Sequence, residues 1–194
     1  MQPFDQLTLS TERLLLRPLR VDDAEALFRM HTDLQVMRYL STPPWQSVAL
    51  AEELIAKDLA ALPAGQHLRL GLVERSAWAL VGSCSLFAFN EQCRRAELGY
   101  MLARPHWGVG LMHEALRAVV AFAFDGLKLN RIEADIDPRN SASARSLARL
   151  GFVEEGYLRE RWIVDGEVSD TALYGLLRSD WLAAATNETN AIRS

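Results

Sequence analysis

The sequence predicts a single mixed α and β domain over residues 1–194, with its core at about residues 8–181. Apolar residues recur at strand spacing in some segments and at helical spacing in others, and no long linker separates these segments. Asp165-Gly166 stands between two apolar runs, which is a strong signal for a β-hairpin. With 194 residues, 49% of them hydrophobic, the chain is long enough to bury a sizeable core.

Seven segments show the alternation or the short apolar runs typical of β-strands. Leu14, Leu15 and Leu16 form the apolar centre of the first segment, and Pro18 closes it. The predicted strands are Thr8–Arg17, Leu68–Glu74, Ala79–Phe89, Arg95–Ala103, Arg131–Ile136, Gly156–Val164 and Val168–Arg178.

In four segments, apolar residues recur at the spacing of a helix, next to a residue that is typical of a helix end. Asp22 and Asp23 open the first helix, Ser47 caps the second, and Gly151 provides a left-handed end for the last. The predicted helices are the segment after Asp23, Val48–Leu62, the segment from Gly110 to about Phe124, and Ser141–Leu150. The polar tail Thr186–Ser194 is expected to fray.

The composition excludes several classes of protein. A net charge of -4, from 25 acidic and 21 basic residues, argues against non-specific binding of nucleic acid. Cys84 and Cys93 have no metal-ligand spacing, so neither a metal site nor a disulfide scaffold is expected. No secretion signal begins the chain, and no apolar run approaches the roughly 18 residues of a membrane span. We therefore expect a cytoplasmic protein that binds no membrane, nucleic acid or metal.

Gly108 and Gly110 follow an apolar strand and precede a helix. Glycines let the backbone approach a ligand, and the free N–H groups of a helix N-terminus attract phosphate. The pattern therefore indicates a pyrophosphate site, although a helix that simply begins after a glycine turn is an equally direct interpretation. A dinucleotide-binding motif is disfavoured because the third glycine is missing.

The glycines and several other segments stand in a characteristic order along the chain. They are Thr11–Pro18, Glu97–Tyr100, Trp107–Gly110, Asn140–Ser143, Leu150–Phe152, Asp165–Asp170 and Asp180-Trp181. Together they resemble the GNAT superfamily of acetyl-CoA-dependent N-acetyltransferases, and most closely its RimJ/RimL group, which acetylates protein N-terminal amines. The resemblance implies an α+β fold: a twisted, mostly antiparallel sheet of about seven strands, flanked by four to five helices and splayed where acetyl-CoA binds.

The resemblance also implies which residues bind acetyl-CoA. The pantetheine arm lies along the strand edge at Tyr100, Met101 and Leu102, and Asn140 reaches its amides, although Asn140 is also a natural N-cap. Arg145 is a candidate for the CoA phosphates, with a solvated helix face as the alternative. The pyrophosphate is assigned to a loop that departs from the family at Pro105 and includes His106, Trp107, Gly108, Val109, Gly110, Leu111 and Met112.

Transfer of the acetyl group needs no enzyme nucleophile, because an uncharged amine can attack the thioester directly. Glu97 is the candidate base, with a structural carboxylate as the alternative. Ser143 resembles the serine that protonates or hydrogen-bonds the leaving thiolate in this group, and Tyr174 and Tyr157 are alternative acids. The two cysteines are expected to be buried or half-buried residues without a catalytic role.

The amine acceptor is less well defined by the sequence. In this fold its cleft lies between the first helices and the last hairpin, where Met37, Tyr39, Trp45 and Trp162 would form an apolar lining. A protein N-terminus is the expected acceptor, with an amino acid, polyamine or aminoglycoside as alternatives. A non-catalytic acyl-CoA-binding domain and a homodimer both remain open.

Overall fold

A computed structural model of the chain describes residues 3–184. Its strands are β1 (Leu9–Ser10), β2 (Leu14–Pro18), β3 (Leu68–Glu74), β4 (Ala79–Asn90), β5 (Arg95–Leu102), β6 (Arg131–Ile136), β7 (Val153–Val164) and β8 (Glu167–Leu177). They form one sheet in the order β1-β2-β3-β4-β5-β6-β8-β7. Every pair of neighbours is antiparallel except β5 and β6, which are parallel. The predicted mixed, mostly antiparallel sheet is confirmed.

Helices lie on both faces of this sheet. They are α1 (Ala24–Thr32), α2 (Leu34–Met37), α3 (Ala49–Ala61), α4 (Leu111–Ala121), α5 (Ser141–Arg149) and α6 (178–184). Within residues 3–184, no helix combines the length and the apolarity that crossing a membrane requires. The tail predicted to fray, Thr186–Ser194, lies outside the described residues.

The first predicted strand, Thr8–Arg17, is two strands in the structure. β1 folds back on β2, so that Leu9 lies opposite Leu16. The Thr11 hydroxyl accepts a hydrogen bond from the Leu14 N–H at 3.0 Å and stabilises this turn. The fold-back accounts for an eighth strand where the family resemblance implies about seven.

The two faces of the sheet carry different helices and different core clusters. On one face, here called the α4–α5 face, buried residues such as Leu98 and Ile132 pack with Leu116 and Leu147 of the helices. On the other, the α1–α3 face, Met101 packs with a smaller cluster from α1, α2 and α3. Because side chains alternate along a strand, even-numbered residues of β5 lie on the α4–α5 face and odd-numbered residues on the α1–α3 face.

Two turns predicted from short motifs are present. Gly151 has φ +92°, and the Phe152 N–H donates to the Leu147 carbonyl, which closes α5 in a Schellman motif. Asp165 and Gly166, with φ +50° and +83°, join β7 to β8 in a two-residue hairpin turn.

The expected burial of both cysteines is only half right. Cys84 is buried on β4, and burial raises the pKa of its thiol, which therefore stays protonated at neutral pH. Cys93 is exposed. It lies in the β4–β5 turn, where its N–H donates to the Asn90 side chain at 2.8 Å, so backbone geometry rather than packing sets its position.

Candidate functional site: a split between two parallel strands

Strands β5 and β6 pair only at their beginnings. Arg95–Glu97 lies beside Arg131–Glu133, and beyond Glu97 the two strands separate. The edge of β5 from Leu98 onward therefore has backbone groups that no strand pairs with on the β6 side. This edge includes Tyr100, Met101 and Leu102, the residues predicted to meet pantetheine.

Gly99 lies inside this edge and allows a close approach within the sheet. Its pairing with Ser85 is regular, and the irregularity between β4 and β5 falls between Phe87 and Asn90 instead. A Cβ at Gly99 would lie 3.2 Å from the Phe87 ring. The glycine thus makes room for an aromatic side chain on the cavity side, and no bulge occurs at this residue.

The glycine turn leads from the end of β5 into α4. Gly108 and Gly110 have φ +77° and +83°, a conformation that L side chains rarely adopt. The indole N–H of Trp107 donates to the Leu102 carbonyl at 2.7 Å and holds the turn against the strand. The first helical hydrogen bond is donated by Glu114 to Gly110, so the N–H groups of the preceding turn point outward from the helix. This geometry suits a phosphate group.

A carboxylate inside α4 ties the glycine turn to the chain's first hairpin. Glu114 accepts hydrogen bonds from the Thr11 hydroxyl at 2.5 Å and from Arg13 Nε at 2.7 Å. Arg13 also donates to the Val109 carbonyl at 2.9 Å. Burial would raise the pKa of Glu114, but the hydrogen bonds from Thr11 and Arg13 outweigh burial and lower it. The segment Thr11–Pro18, one of those that resemble the family, therefore helps to position the glycine turn.

The remaining residues predicted to contact acetyl-CoA surround this turn. Leu111 is buried in the core, and Met112 packs against it, with its sulfur 3.8 Å from that of Cys84. His106 Nδ1 lies 3.9 Å from a Glu74 carboxylate oxygen. Arg145 is exposed on α5.

One cavity of about 390 Å³ passes through the opening between the strands. Leu98 and Tyr100, which line it, belong to the α4–α5 face, whereas Gly99 and Asp135 belong to the α1–α3 face. Its further walls come from the α2–α3 loop, the β6–α5 loop and the β7–β8 hairpin. The cavity therefore connects the two faces of the sheet.

Three of the four predicted acceptor residues line this cavity, namely Met37, Tyr39 and Trp162. Trp45 is not among the lining residues. It stacks on His31 with ring centroids 3.6 Å apart and packs against the core of the α1–α3 face.

On the α4–α5 face, a partly buried hydroxyl pair lies where the strands open. Tyr100 Oη and Ser143 Oγ are 2.6 Å apart, and either oxygen can donate. Burial raises the pKa of Tyr100 to about 12, so its phenol is protonated at neutral pH. Asn140 caps α5 by accepting the Ser143 N–H at 3.1 Å, which leaves the Asn140 amide nitrogen without a hydrogen bond to the described residues.

Glu97 lies on the opposite, α1–α3 face, half-buried beside other acidic residues. Burial raises the pKa of its carboxyl, and repulsion from Asp135 and Glu133 adds to the rise, while Arg95 and Arg161 oppose it. Glu97 is not itself a lining residue of the cavity, whereas its neighbour Asp135 is. The alternative acids lie elsewhere: Tyr174 donates to Glu154, and exposed Tyr157 donates to Asp170.

Arg139 joins three walls of the cavity and was not predicted. It donates to Asp137 at 2.6 Å and to Glu167 of the hairpin at 2.7 Å, and its guanidinium lies 5.8 Å from the centre of the Tyr39 ring. Its position before Asn140 carried no signal, because these partners come from three separate segments.

The split sheet, with a turn on one face whose geometry suits an anion, is typical of an acyltransferase of the acetyl-CoA-dependent class. Residues 13–153 match the family described as acetyltransferase (GNAT) domain, and the chain belongs to that family. Acetyl-CoA is accordingly its cosubstrate.

Similar proteins refine this assignment. An uncharacterized N-acetyltransferase p20 of Bacillus licheniformis is 33% identical, covering 90% of this chain and 98% of that protein. The [ribosomal protein uS5]-alanine N-acetyltransferase of Escherichia coli is 28% identical, over 91% of this chain and 93% of that protein. The chain is thus an N-acetyltransferase with RimJ/RimL-like relatives.

Solved structures have the same fold. Mycobacterium smegmatis RimJ in complex with CoA-disulfide has a TM-score of 0.84 and 26% identity, over 96% of this chain and 98% of that one. A spermidine N-acetyltransferase from Vibrio cholerae, in complex with CoA and spermine, has a TM-score of 0.79 and 25% identity, over 89% and 99% of the two chains. The relatives therefore include enzymes for two kinds of amine.

Proposed function

We propose that this enzyme transfers the acetyl group of acetyl-CoA to the N-terminal α-amine of a protein or peptide. The observation that carries the proposal is the cavity that passes through the split sheet. A thioester held on the α4–α5 face can there meet an amine that enters from the α1–α3 face. The similarity to a ribosomal-protein alanine N-acetyltransferase supports the choice of a protein N-terminus.

Acetyl-CoA is proposed to lie on the α4–α5 face. The backbone from His106 to Met112 would hold the pyrophosphate at the N-terminus of α4, where the helix dipole favours negative charge. Pantetheine would pair with the free edge at Tyr100, Met101 and Leu102, in the manner of an added strand. The free amide nitrogen of Asn140 can donate to a pantetheine carbonyl, and exposed Arg145 can reach a CoA phosphate.

The acceptor amine is proposed to enter from the α1–α3 face. Met37, Tyr39 and Trp162 provide apolar and aromatic surface there for the first residues of a peptide. A contact of Trp45 with the acceptor stays a prediction, since its ring is engaged by His31.

The two ends of the reaction fall on opposite faces of the sheet. The amine nitrogen attacks the thioester carbon, the C–N bond forms, the C–S bond breaks, and Glu97 takes the amine proton directly or through water. An α-amine has a pKa of about 7.7–8 and so loses its proton readily. On the other face, Ser143 donates a hydrogen bond to the sulfur as charge develops, and Tyr100 orients Ser143.

A thiol-release assay tests this proposal. Acetyl-CoA is incubated with the enzyme and either peptides that carry ribosomal-protein N-termini or small amines, including spermidine, an amino acid and an aminoglycoside. Turnover of peptides with a free N-terminus, but not of the same peptides with a blocked one, is the expected result. Preferential turnover of spermidine would transfer the assignment to the polyamine class. Binding of acetyl-CoA without any turnover would identify a non-catalytic domain.

A cytoplasmic location and homodimer formation both stay predictions. Fractionation of cells and light scattering of the purified protein test them.

A further inference from the structure

One carboxylate of the cavity wall, at the centre of the split, has no hydrogen bond or ion pair within the described part of the chain. The carboxylates among its lining residues are Asp135, Asp137, Asp165 and Glu167. Arg139 pairs with both Asp137 and Glu167. Asp165 lies in the hairpin turn at the outer end of the cavity. The carboxylate of Asp135, on β6, makes no hydrogen bond or ion pair with any of residues 3–184, and Asp135 lines the cavity.

A buried hydroxyl without a partner lies on the same wall. Thr171 is only 1% exposed, and its Oγ1 has no hydrogen-bond partner among the described residues. It also lines the cavity. Buried hydroxyls are nearly always hydrogen-bonded, so one that belongs to a cavity wall and has no partner points to a ligand that provides it.

Asp135 and Thr171 are near each other on the α1–α3 face. Asp135 lies opposite Leu173 of β8, and Thr171 is two residues from Leu173, so both side chains are on one face of the two strands. Such diagonal positions are roughly 7–8 Å apart, a distance that one ammonium group with its hydrogen bonds can bridge. Glu97 shares this face, because it pairs with Glu133, two residues before Asp135.

We propose that Asp135 and Thr171 form the subsite that receives the protonated primary amine of the acceptor before transfer. The inference rests on the proposed function and names the residues that hold the amine. An ammonium has three N–H donors. Asp135 accepts one, Thr171 Oγ1 accepts the second, and the third is directed toward Glu97, which takes that proton directly or through water so that the neutral nitrogen can attack. The second proton that the nitrogen loses, as the amide forms, goes to the departing thiolate sulfur.

The surrounding charges favour a cationic acceptor over an anionic one. Arg139 is already paired, and Arg38 is engaged over the Tyr39 ring at 5.1 Å. Arg95, on the same strand as Glu97, and Arg161, on β7, act on Glu97. Asp135 therefore remains the free charge at the split, and peptides that begin with Asp or Glu should be poorer acceptors than those that begin with a small neutral residue.

Asp135→Asn and Thr171→Val test the subsite, since both replacements preserve shape. A charge-assisted hydrogen bond accounts for about tenfold or more in binding. We expect Asp135→Asn to raise KM for the amine at least about tenfold, and Thr171→Val about three- to tenfold, with KM for acetyl-CoA unchanged. Thr171→Val should not lower the melting temperature, because it removes an unpaired hydroxyl. Replacement of a threonine with a purely structural role would lower it.

Asp165→Asn is the matched control, since it removes a carboxylate from the same cavity wall but away from the split. An equal rise in amine KM for Asp165→Asn and Asp135→Asn would mean that the cavity's carboxylates act only through their overall negative charge, and it would overturn the subsite. Unchanged amine KM in both Asp135→Asn and Thr171→Val, with normal turnover by the native enzyme, would also overturn it and leave the transferase intact.

Failure of the proposed function gives a different pattern. If the native enzyme turns over no amine, calorimetry of its CoA complex with an alanine-peptide amide still tests the subsite. Tighter binding by the native protein than by Asp135→Asn would support the subsite without catalysis. Equal binding would overturn it.

Discussion

Tyr100 Oη and Ser143 Oγ lie 2.6 Å apart, partly buried where the two parallel strands separate. If Ser143 donates to the leaving sulfur and Tyr100 only orients it, the two should act as a unit. Ser143→Ala should lower kcat about 100-fold, as loss of one transition-state donor does. Tyr100→Phe should lower kcat about tenfold, and the double variant should resemble Ser143→Ala.

Steady-state kinetics with saturating acetyl-CoA measure these effects. Tyr174→Phe is the control, since Tyr174 lies near Tyr100 but donates to Glu154. A large loss of kcat in Tyr174→Phe would instead favour Tyr174 as the acid. Additive losses in the double variant would show that Tyr100 acts independently of Ser143.

Glu97 should determine the acidic limb of the pH profile. It accepts a proton only when ionised, and burial together with repulsion from Asp135 and Glu133 raises its pKa. Activity should therefore be lost, as the pH falls, at a higher pH than an ordinary glutamate of pKa about 4.3 would give. Glu97→Gln should lower kcat about 100-fold.

A second variant tests the role of Glu97 more specifically, by the direction in which the acidic limb of the pH profile moves. Asp135→Asn removes one of the charges that disfavour ionisation of Glu97, so the acidic limb of kcat should move to lower pH. Asp165→Asn should leave the limb in place, since Asp165 is not among the groups that shift the pKa of Glu97. An unchanged limb in Asp135→Asn would exclude Glu97 as the titrating base.

Much of the local structure could be predicted because it depends on adjacent residues. The Asn140 cap, the left-handed end at Gly151 and the Asp165-Gly166 turn each follow from the backbone preferences of a few neighbours. The two-residue alternation of β6 is equally local. The split itself came from the family resemblance, since no pattern within β5 shows where its partner strand diverges.

Contacts between distant segments could not be predicted from the sequence. Tyr100 and Ser143 are 43 residues apart, and Arg13 and Glu114 are 101 residues apart. Each pair meets only because helices pack on one face of the split sheet. Asp135 illustrates the same point: in the sequence it is one of several exposed charges on β6, and its isolation becomes apparent only when Arg139 is seen to neutralise its neighbours.

Asn140 should have two separable roles. Its side-chain oxygen caps α5, and its amide nitrogen is free for pantetheine. Asn140→Ala should lose about 1 kcal/mol of stability and also bind acetyl-CoA more weakly. Asn140→Asp keeps the capping oxygen but loses the donor, so it should retain stability while its affinity for acetyl-CoA falls. Thermal melting and calorimetry measure the two effects, and full affinity in Asn140→Asp would leave Asn140 as a cap alone.

Gly108→Ala and Gly166→Ala form a matched pair that separates binding from stability. Both glycines have positive φ, +77° and +83°, and a Cβ at either one would meet no atom within 4 Å. Each alanine should therefore cost a similar 1–2 kcal/mol, roughly, from backbone strain alone. Only Gly108 lies in the turn proposed to hold the pyrophosphate, so only Gly108→Ala should raise the Kd for acetyl-CoA. We expect a rise of about tenfold, because the added methyl group and the shifted backbone would displace the phosphates. Equal Kd values in the two variants, at equal losses of stability, would mean that the cosubstrate does not approach the backbone of this turn.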